Sequence, residues 1–441
     1  MAVCNFFYKL VVEIKKHASR QLEGSSSQKL KQILKMKAFF NSDFTKNTNE
    51  GRLMQQKLRI IQAISQNGHG ITVPEICEEL QISAPTGIKL VNQLQEDGFL
   101  RIVGKKETVN GRRPNIYGLN NVEFHALSVE ILLKRISVGI IDSNLNILYY
   151  RQKTDFELKN TPECLASIRA FILECLQNSG ITEDSVLGMG VGITGQVNNA
   201  TGESFTYFNF MDQPLGEYLS TIFDVPVFLN NDTRCFGLAE KIIGKAKDAN
   251  HAIVINLSRG LGTSLIIDNK IVNGVMGFAG ELGHMQFGRK EKMCLCGKSG
   301  CLGNDVGGYA LEESFIEKLS EGAGSLVKIP EDGKSIRYDE ILQAAMNGDN
   351  LSIKLVQDIG FKLGNALGNI VSLLNPELII IGGKFSRLKE ILIGPVKTGL
   401  TSSALINPLN HCKVEFSELG DLGGLKGAGA LVFDYFELIR N

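Results

Sequence analysis

The chain has 441 residues, too many for one ordinary domain, so two or three are expected. Hydrophobic residues make up 43% and charged residues 21%, which excludes wholesale disorder. The formal net charge is zero, yet residues 1–120 carry 18 Lys+Arg against 10 Asp+Glu, so the remainder is acidic. A basic head on an acidic body suits a polyanion partner at the head.

No apolar run is long enough to span a bilayer, so no membrane insertion is expected. The apolar stretch from Met1 to Ile14 is broken by Lys9 and followed by no small-residue cleavage site. It is therefore not read as a signal peptide, and the cytoplasm is the default location. Nine cysteines, an odd number, point to metal chemistry in a reducing compartment rather than to a disulfide framework.

Residues 1–50 read as an N-terminal extension. Gly24 to Ser27 form a linker-like break, and Lys29, Lys31, Lys35 and Lys37 mark a basic arm, a short helix or a frayed leader. Residues 51–120 read as a winged helix-turn-helix. Leu58, Ile60, Ile61 and Ile64 recur at helical spacing, and a second short helix runs from about Val73 to Leu80. Gln81-Ile82-Ser83 is a brief turn, with Ser83 as N-cap and Pro85 in the first turn of a third helix. Ile88, Val91 and Leu94 are its expected buried stripe. Thr86, Lys89, Asn92 and Gln93 fall on its polar face, where they supply the donors and acceptors that base edges require. A hairpin follows. Its tip holds Lys105, Lys106, Arg112 and Arg113, groups suited to phosphates and a minor groove. The expected partner is a double-stranded DNA operator; a small helical module that binds protein is the blander alternative.

From residue 123 to 441 strand-like runs bounded by glycine alternate with amphipathic helices, which argues an α/β architecture. Val138–Ile141, Gly188–Ile193, Ala252–Leu257 and Leu378–Ile381 are the clearest strands. Within it His284, Cys294, Cys296 and Cys301 have the spacing and chemistry of a tetrahedral zinc site, against the alternative of free cysteines beside an unrelated histidine. Four protein ligands fill the coordination sphere, so the zinc is expected to be structural.

Gly274, Gly277, Ala279-Gly280-Glu281-Leu282-Gly283-His284 and the cysteine run Cys294, Cys296, Cys301 together resemble the ROK family (repressors, open reading frames, kinases). Gly188, Gly190, Gly192 and Thr194-Gly195 resemble its second glycine-rich strand and turn. Leu229-Asn230-Asn231-Asp232 resembles its catalytic Asn-Asp, Asn375-Pro376-Glu377 with Gly382-Gly383 its nucleotide-side segment, and Gly111-Arg112-Arg113-Pro114 the wing of its repressors. The resemblance covers about residues 55–440. It implies an N-terminal winged helix-turn-helix plus a two-lobed, actin-like (ribonuclease-H-like) sugar-kinase-type domain. It also implies that Asn231, Asp232, Glu281 and His284 hydrogen-bond sugar hydroxyls, His284 being oriented by zinc through one ring nitrogen. For Asp232 the competing role is a helix N-cap.

Kinases of this family open the domain with an Asp-x-Gly-Gly-Thr phosphate loop. Here the corresponding stretch, Ser128 to Arg135, has no glycine, and the second loop survives only in part as Ser258-Arg259-Gly260-Leu261-Gly262. The sugar-binding Glu that follows the last zinc cysteine in those kinases is Gly303 here, with Asn304 and Asp305 as substitutes. Asp232 remains only as a vestigial base, and no kinase activity is expected. The leading expectation is a sugar- or sugar-phosphate-responsive repressor acting as a homodimer or homotetramer. The alternatives are an active sugar kinase with a DNA-binding head and a regulator whose surface docks another protein.

Overall fold

The computed structural model describes residues 49–67, 70–107, 113–119, 125–181, 185–288, 292–327, 336–436 and 438. The N-terminal extension up to residue 48, with its lysines, and Gly111 and Arg112 of the wing lie outside the described residues. The described chain divides into a smaller and a larger compact unit.

The smaller unit begins with α1 (Asn49–Asn67), β1 (Ile71–Thr72), α2 (Val73–Leu80) and α3 (Ala84–Glu96). The strands β2 (Leu100–Lys105) and β3 (Asn115–Leu119) follow, and the sheet order is β1-β3-β2, with both pairings antiparallel. Ile60, Ile61, Ile64, Ile76, Leu90, Val91, Leu94 and Phe99 fill its core. Thr72 and Glu75 form a capping box at the start of α2. Gln81 adopts the left-handed conformation (φ +53°), and the Ile82 amide bonds back to the Cys77 carbonyl, which makes the turn abrupt. Ser83 then caps α3 as expected. A Cβ on Gly87 would lie 2.4 Å from Cys77 Sγ, so α3 can cross α2 this closely only with glycine there.

The expected burial of Ile88 is not what the structure shows. Gly87, Leu90, Val91 and Leu94 form the inward face, and Ile88 is 51% exposed. Each residue turns about 100° around a helix, so Ile88 falls between the buried stripe and the polar side.

The larger unit carries two five-stranded sheets. The first holds β4 (His125–Leu132), β5 (Arg135–Asp142), β6 (Ile147–Lys153), β7 (Val186–Ile193) and, after the short pair β8 (Val197–Asn198) and β9 (Glu203–Ser204), β10 (Val227–Asn231). Its helices are α4 (Pro162–Asn178) and α5 (Leu215–Phe223). The link to the second sheet is α6 (Asp232–Ile243), followed by β11 (Ala252–Leu257), β12 (Leu261–Ile267) and β13 (Lys270–Ile271). Beyond a loop with a 3-10 turn at Leu282–His284 come α7 (Gly303–Val306), α8 (Gly308–Ser320), α9 (Tyr338–Met346) and α10 (Asn350–Leu374). The end of the unit is β14 (Leu378–Gly382), α11 (Lys389–Ser403), α12 (Ile406–Asn410), β15 (Lys413–Phe416) and α13 (Gly423–Tyr435).

The strand orders are β10-β7-β4-β5-β6 and β13-β12-β11-β14-β15. Numbered within each lobe and read from opposite edges, the two are the same. This repeated topology is the two-lobed architecture expected from the sequence. In the second lobe β11 and β14 are parallel and β11 and β12 antiparallel. Val254, Ile255, Ile379, Ile380 and Ile381 are buried, as centre strands covered on both faces must be. The long helix α10 buries Leu355, Val356, Ile359, Leu363, Leu367, Ile370 and Val371 at three- and four-residue spacing against that sheet. Asp349 caps its start through the Ser352 amide, and Asn375 ends it in the left-handed conformation.

Candidate functional site

On α3, Lys89 and Asn92 are exposed, whereas Thr86 and Gln93 are half-buried. The Thr86 hydroxyl bonds to Ser83 Oγ at 2.8 Å, and Gln93 Oε1 is buried without a partner. Of the four expected polar-face residues only Lys89 and Asn92 are therefore exposed, and Ile88, a residue that sequence periodicity assigned to the interior, is exposed with them. In the wing, Lys106 is tied to Glu75 of α2 at 2.5 Å, and its amide bonds the Pro114 carbonyl, closing the hairpin. The Lys106 and Thr72 contacts hold the Glu75 carboxyl down at about 2. Lys105 and Arg113 are exposed at the same end.

In the larger unit, β10 delivers Asn231 and Asp232 to the start of α6. Asn231, not Asp232, is the N-cap: its Oδ1 accepts from the Thr233 and Arg234 amides at 2.9 and 3.3 Å. Its Nδ2 donates to the Gly195 carbonyl at 3.0 Å. The Asn231 amide thus joins the glycine-rich turn at Gly195 to the helix, and the Asp232 carboxylate is left out of the cap. Burial, followed by the charge of Glu130, pushes the Asp232 carboxyl up to about 7. Glu281 precedes the 3-10 turn and receives Arg234 Nη2 at 3.3 Å. The structure therefore brings Asp232, Arg234 and Glu281 into one group, with His284 one turn further on.

Arg234 was not singled out from the sequence. It is 2% exposed, and its Nε and Nη1 are buried without a partner. Nothing local in the sequence marks it, because its partner lies 47 residues away. Asn304, the suggested substitute for the missing glutamate, is buried; it donates to the Met293 carbonyl and accepts from the Tyr309 hydroxyl. Asp305 is buried as well. Glu377 likewise has a structural task, accepting from the Asn250 and His251 amides.

His284, Cys294, Cys296 and Cys301 come together, their ligating atoms all within 4.8 Å of one another. Cys294 Sγ lies 3.6 Å from His284 Nδ1, and Cys296 Sγ lies 3.6 Å from Cys301 Sγ. Metal–sulfur bonds of about 2.3 Å at tetrahedral angles place sulfurs roughly 3.8 Å apart, so the donor set fits a small four-coordinate ion. Burial works against the Cys296 thiolate, but the Lys298 backbone and the neighbouring thiols donate to it and hold its pKa below the usual value. Burial and those thiols push Cys301 up to about 12.

The stretch where a phosphate loop was expected to be missing is a tight hairpin. β4 ends at Leu132, β5 begins at Arg135, and only Leu133 and Lys134 lie between. Lys134 pairs with Glu157, and Arg259 of the second loop pairs with Glu312 at 3.5 Å.

Residues 126–434 match the ROK family model. The chain belongs to the ROK family. Residues 55–101 match a winged helix-turn-helix DNA-binding model. The ROK chain is 26% identical over 379 residues to a putative xylose repressor of Caldicellulosiruptor sp. (strain Rt8B.4), covering 85% of this chain and 94% of that one. It is 27% identical over 365 residues to the DNA-binding transcriptional dual regulator NagC of Escherichia coli (strain K12), covering 81% and 87%. A crystal structure of a ROK transcriptional regulator, described as a homolog of the E. coli MLC protein, superposes with a TM-score of 0.74 at 24% identity, over 88% of this chain and 98% of that one. A ROK glucokinase from Streptomyces griseus in complex with glucose and AMPPNP superposes with a TM-score of 0.60 at 26% identity, over 70% and 98%. The fold is thus a winged helix-turn-helix followed by a ROK sugar-kinase-type domain of two actin-like lobes. Among the described residues no helix is long and apolar enough to cross a membrane.

Proposed function

We propose that this ROK protein is a DNA-binding transcriptional repressor that responds to a sugar or sugar phosphate. One observation carries the reading: a single chain joins a winged helix presenting Lys89 and Asn92 outward to a kinase-type domain that gathers Asp232, Arg234 and Glu281. Relatives named for xylose and for N-acetylglucosamine repression match over most of their length, which supports it. The polar side of α3 enters a major groove, and Lys105, Arg112 and Arg113 of the wing contact phosphates or the minor groove. Asp232, Glu281 and His284 take the sugar hydroxyls, with Asn231 holding the turn beneath them. Sugar closes the lobes, closure changes the homodimer or homotetramer, and the paired heads lose their operator spacing.

The cluster of His284 and three cysteines holds a structural zinc. When bound, the ion cross-links its loop and leaves no open coordination position. His284 is fixed through Nδ1, and its other ring nitrogen stays available to the ligand. The ROK domain does not transfer phosphate, because the β4–β5 turn has neither the length nor the glycines to wrap a phosphate.

Retention of duplexes from a genomic library at low salt, followed by release with a panel of sugars and sugar phosphates, tests the reading. Retention and release by one class of ligand are expected. Failure to retain any duplex would overturn it. One observation favours a second reading, an active sugar kinase: an Asp232 carboxyl near 7 has the basicity of a general base. ATP turnover with common hexoses and pentoses at ordinary kinase rates would establish that reading instead.

A further inference from the structure

The loop that carries Glu281 touches both lobes. It leaves β13 in the second lobe and closes on itself where the Ala279 amide donates to the Asn273 carbonyl at 3.1 Å. Gly280 lies against β12 of that lobe, where a Cβ would be 2.8 Å from the Thr263 carbonyl oxygen. Gly277 instead lies against β8 of the first lobe, where a Cβ would be 2.3 Å from the Val197 carbonyl oxygen. Backbone therefore meets backbone across the lobes just before Glu281, at a distance that only glycine permits.

A pair of aromatic rings adds to this bridge. Phe278 meets Phe205 edge to face, with ring centroids 5.5 Å apart and planes at 71°, and both residues are half-buried. Phe205 directly follows β9 and is itself held in place. Its amide donates to the Gln196 carbonyl at 2.9 Å, and the hydroxyl of the next residue, Thr206, accepts from the Gln196 amide at 2.9 Å. Gln196 follows Gly195, whose carbonyl takes the Asn231 side chain. The two rings thus join the turn that holds Asn231 to the loop that carries Glu281. An edge-to-face pair stabilises beyond the area it buries and prefers one geometry, so it fixes the loop as well as covering it.

We propose that Phe205 and Phe278 are positioning residues, an inter-lobe clasp that holds the Glu281 loop against the Asn231 turn and so slows release of a bound sugar. The rings act through Glu281 and need not touch the ligand. The effect on sugar rests on the sugar-responsive reading above; the hold on the loop is a property of the chain without ligand.

The test makes two measurements on the full chain. The first is amide hydrogen exchange of residues 273–281 without ligand. Phe205→Leu, a change in the other lobe, is expected to speed exchange there roughly tenfold, the scale of one lost aromatic pair. Phe278→Leu should do the same, and Phe205→Leu/Phe278→Leu no more than either alone, because the two rings make one contact. Leucine keeps the apolar bulk, and circular dichroism checks that each variant folds. Phe210→Leu is the control: its ring packs on Phe208 within the first lobe, centroids 6.3 Å apart, and the change should leave exchange of 273–281 as it was. The second measurement is the binding kinetics of D-glucose, D-xylose and N-acetyl-D-glucosamine, each free and phosphorylated. Whichever binds the native protein should leave the clasp variants roughly three- to tenfold faster, with little change in association rate. Exchange that Phe205→Leu does not alter, additive effects of the two changes, or an unaltered dissociation rate of a bound sugar would each overturn the proposal. Faster exchange in a protein that binds none of these sugars would support the clasp and sink the sugar-responsive reading.

Discussion

Asp232 sits where its own charge is disfavoured, half-buried at the head of α6 with Glu130 and Glu281 adding negative potential. Its folded pKa, about 7, lies above the unfolded value near 4, so the folded state holds the extra proton between those limits. The stability this proton gives is fully present below about pH 4 and is lost as pH rises through 7. Asp232→Asn removes the titration. The variant should melt about 2–4 °C higher than the native protein at pH 8 and almost equally at about pH 4, while losing sugar binding. Melting curves at both pH values with a sugar titration check this; a difference independent of pH would deny that Asp232 is a strained carboxyl. Cys301 offers a second residue-scale test. It is the buried member of the cysteine cluster, and loss of one ligand in four opens the coordination sphere. Native protein should carry about one zinc per chain by elemental analysis, and Cys301→Ser should lose it and melt as the chelator-treated native protein does.

At the scale of elements, α3 has one face for the core and one for solvent, and the two faces act differently. Lys89 is an exposed point charge, so Lys89→Ala should weaken binding to every duplex alike and reduce the slope of log affinity against log salt by about one. Asn92 can donate to and accept from a base edge, so Asn92→Ala should cost about 1–3 kcal/mol on the preferred operator and little on random DNA. Fluorescence anisotropy across salt concentrations separates the two, and identical behaviour of both variants would show that α3 is not in a groove. Much of this element is legible in the sequence, because Ser83, Pro85 and the Val91–Leu94 spacing act within a few residues, whereas Leu90 is added by the structure. Ile88 is not, since apolar character alone does not say which side of a helix edge a residue takes. The candidate site in the larger unit divides the same way. Strand β11 reads directly from its apolar run, and the cysteine cluster from its spacing. Arg234 with Glu281, and Glu130 with Gly424, are contacts between distant segments that only the packing of the strands and α13 makes. Asn231 and Asp232 are adjacent, so the division of capping from carboxylate chemistry depends on where β10 stops.

For the whole molecule, the proposed regulation is a coupling free energy between a sugar site in one unit and an operator site in the other. Such coupling is reciprocal: the factor by which sugar weakens operator binding must equal the factor by which operator weakens sugar binding. A typical coupling of about 1–3 kcal/mol gives roughly 5–150-fold in each direction. Sugar should also raise the melting temperature of the ROK domain, by about 2.7 kcal/mol of stabilisation at a hundredfold excess over Kd. Two titrations measure the coupling: operator with and without saturating sugar, and sugar with and without saturating operator. Equal factors well above one are expected. Factors of one in both directions, in a protein that binds both ligands, would mean that lobe closure does not reach the heads, and the sugar would then be cargo or substrate instead of a signal. Asp232→Asn supplies the internal control, because a variant that cannot take sugar should hold operator with native affinity and be blind to the effector.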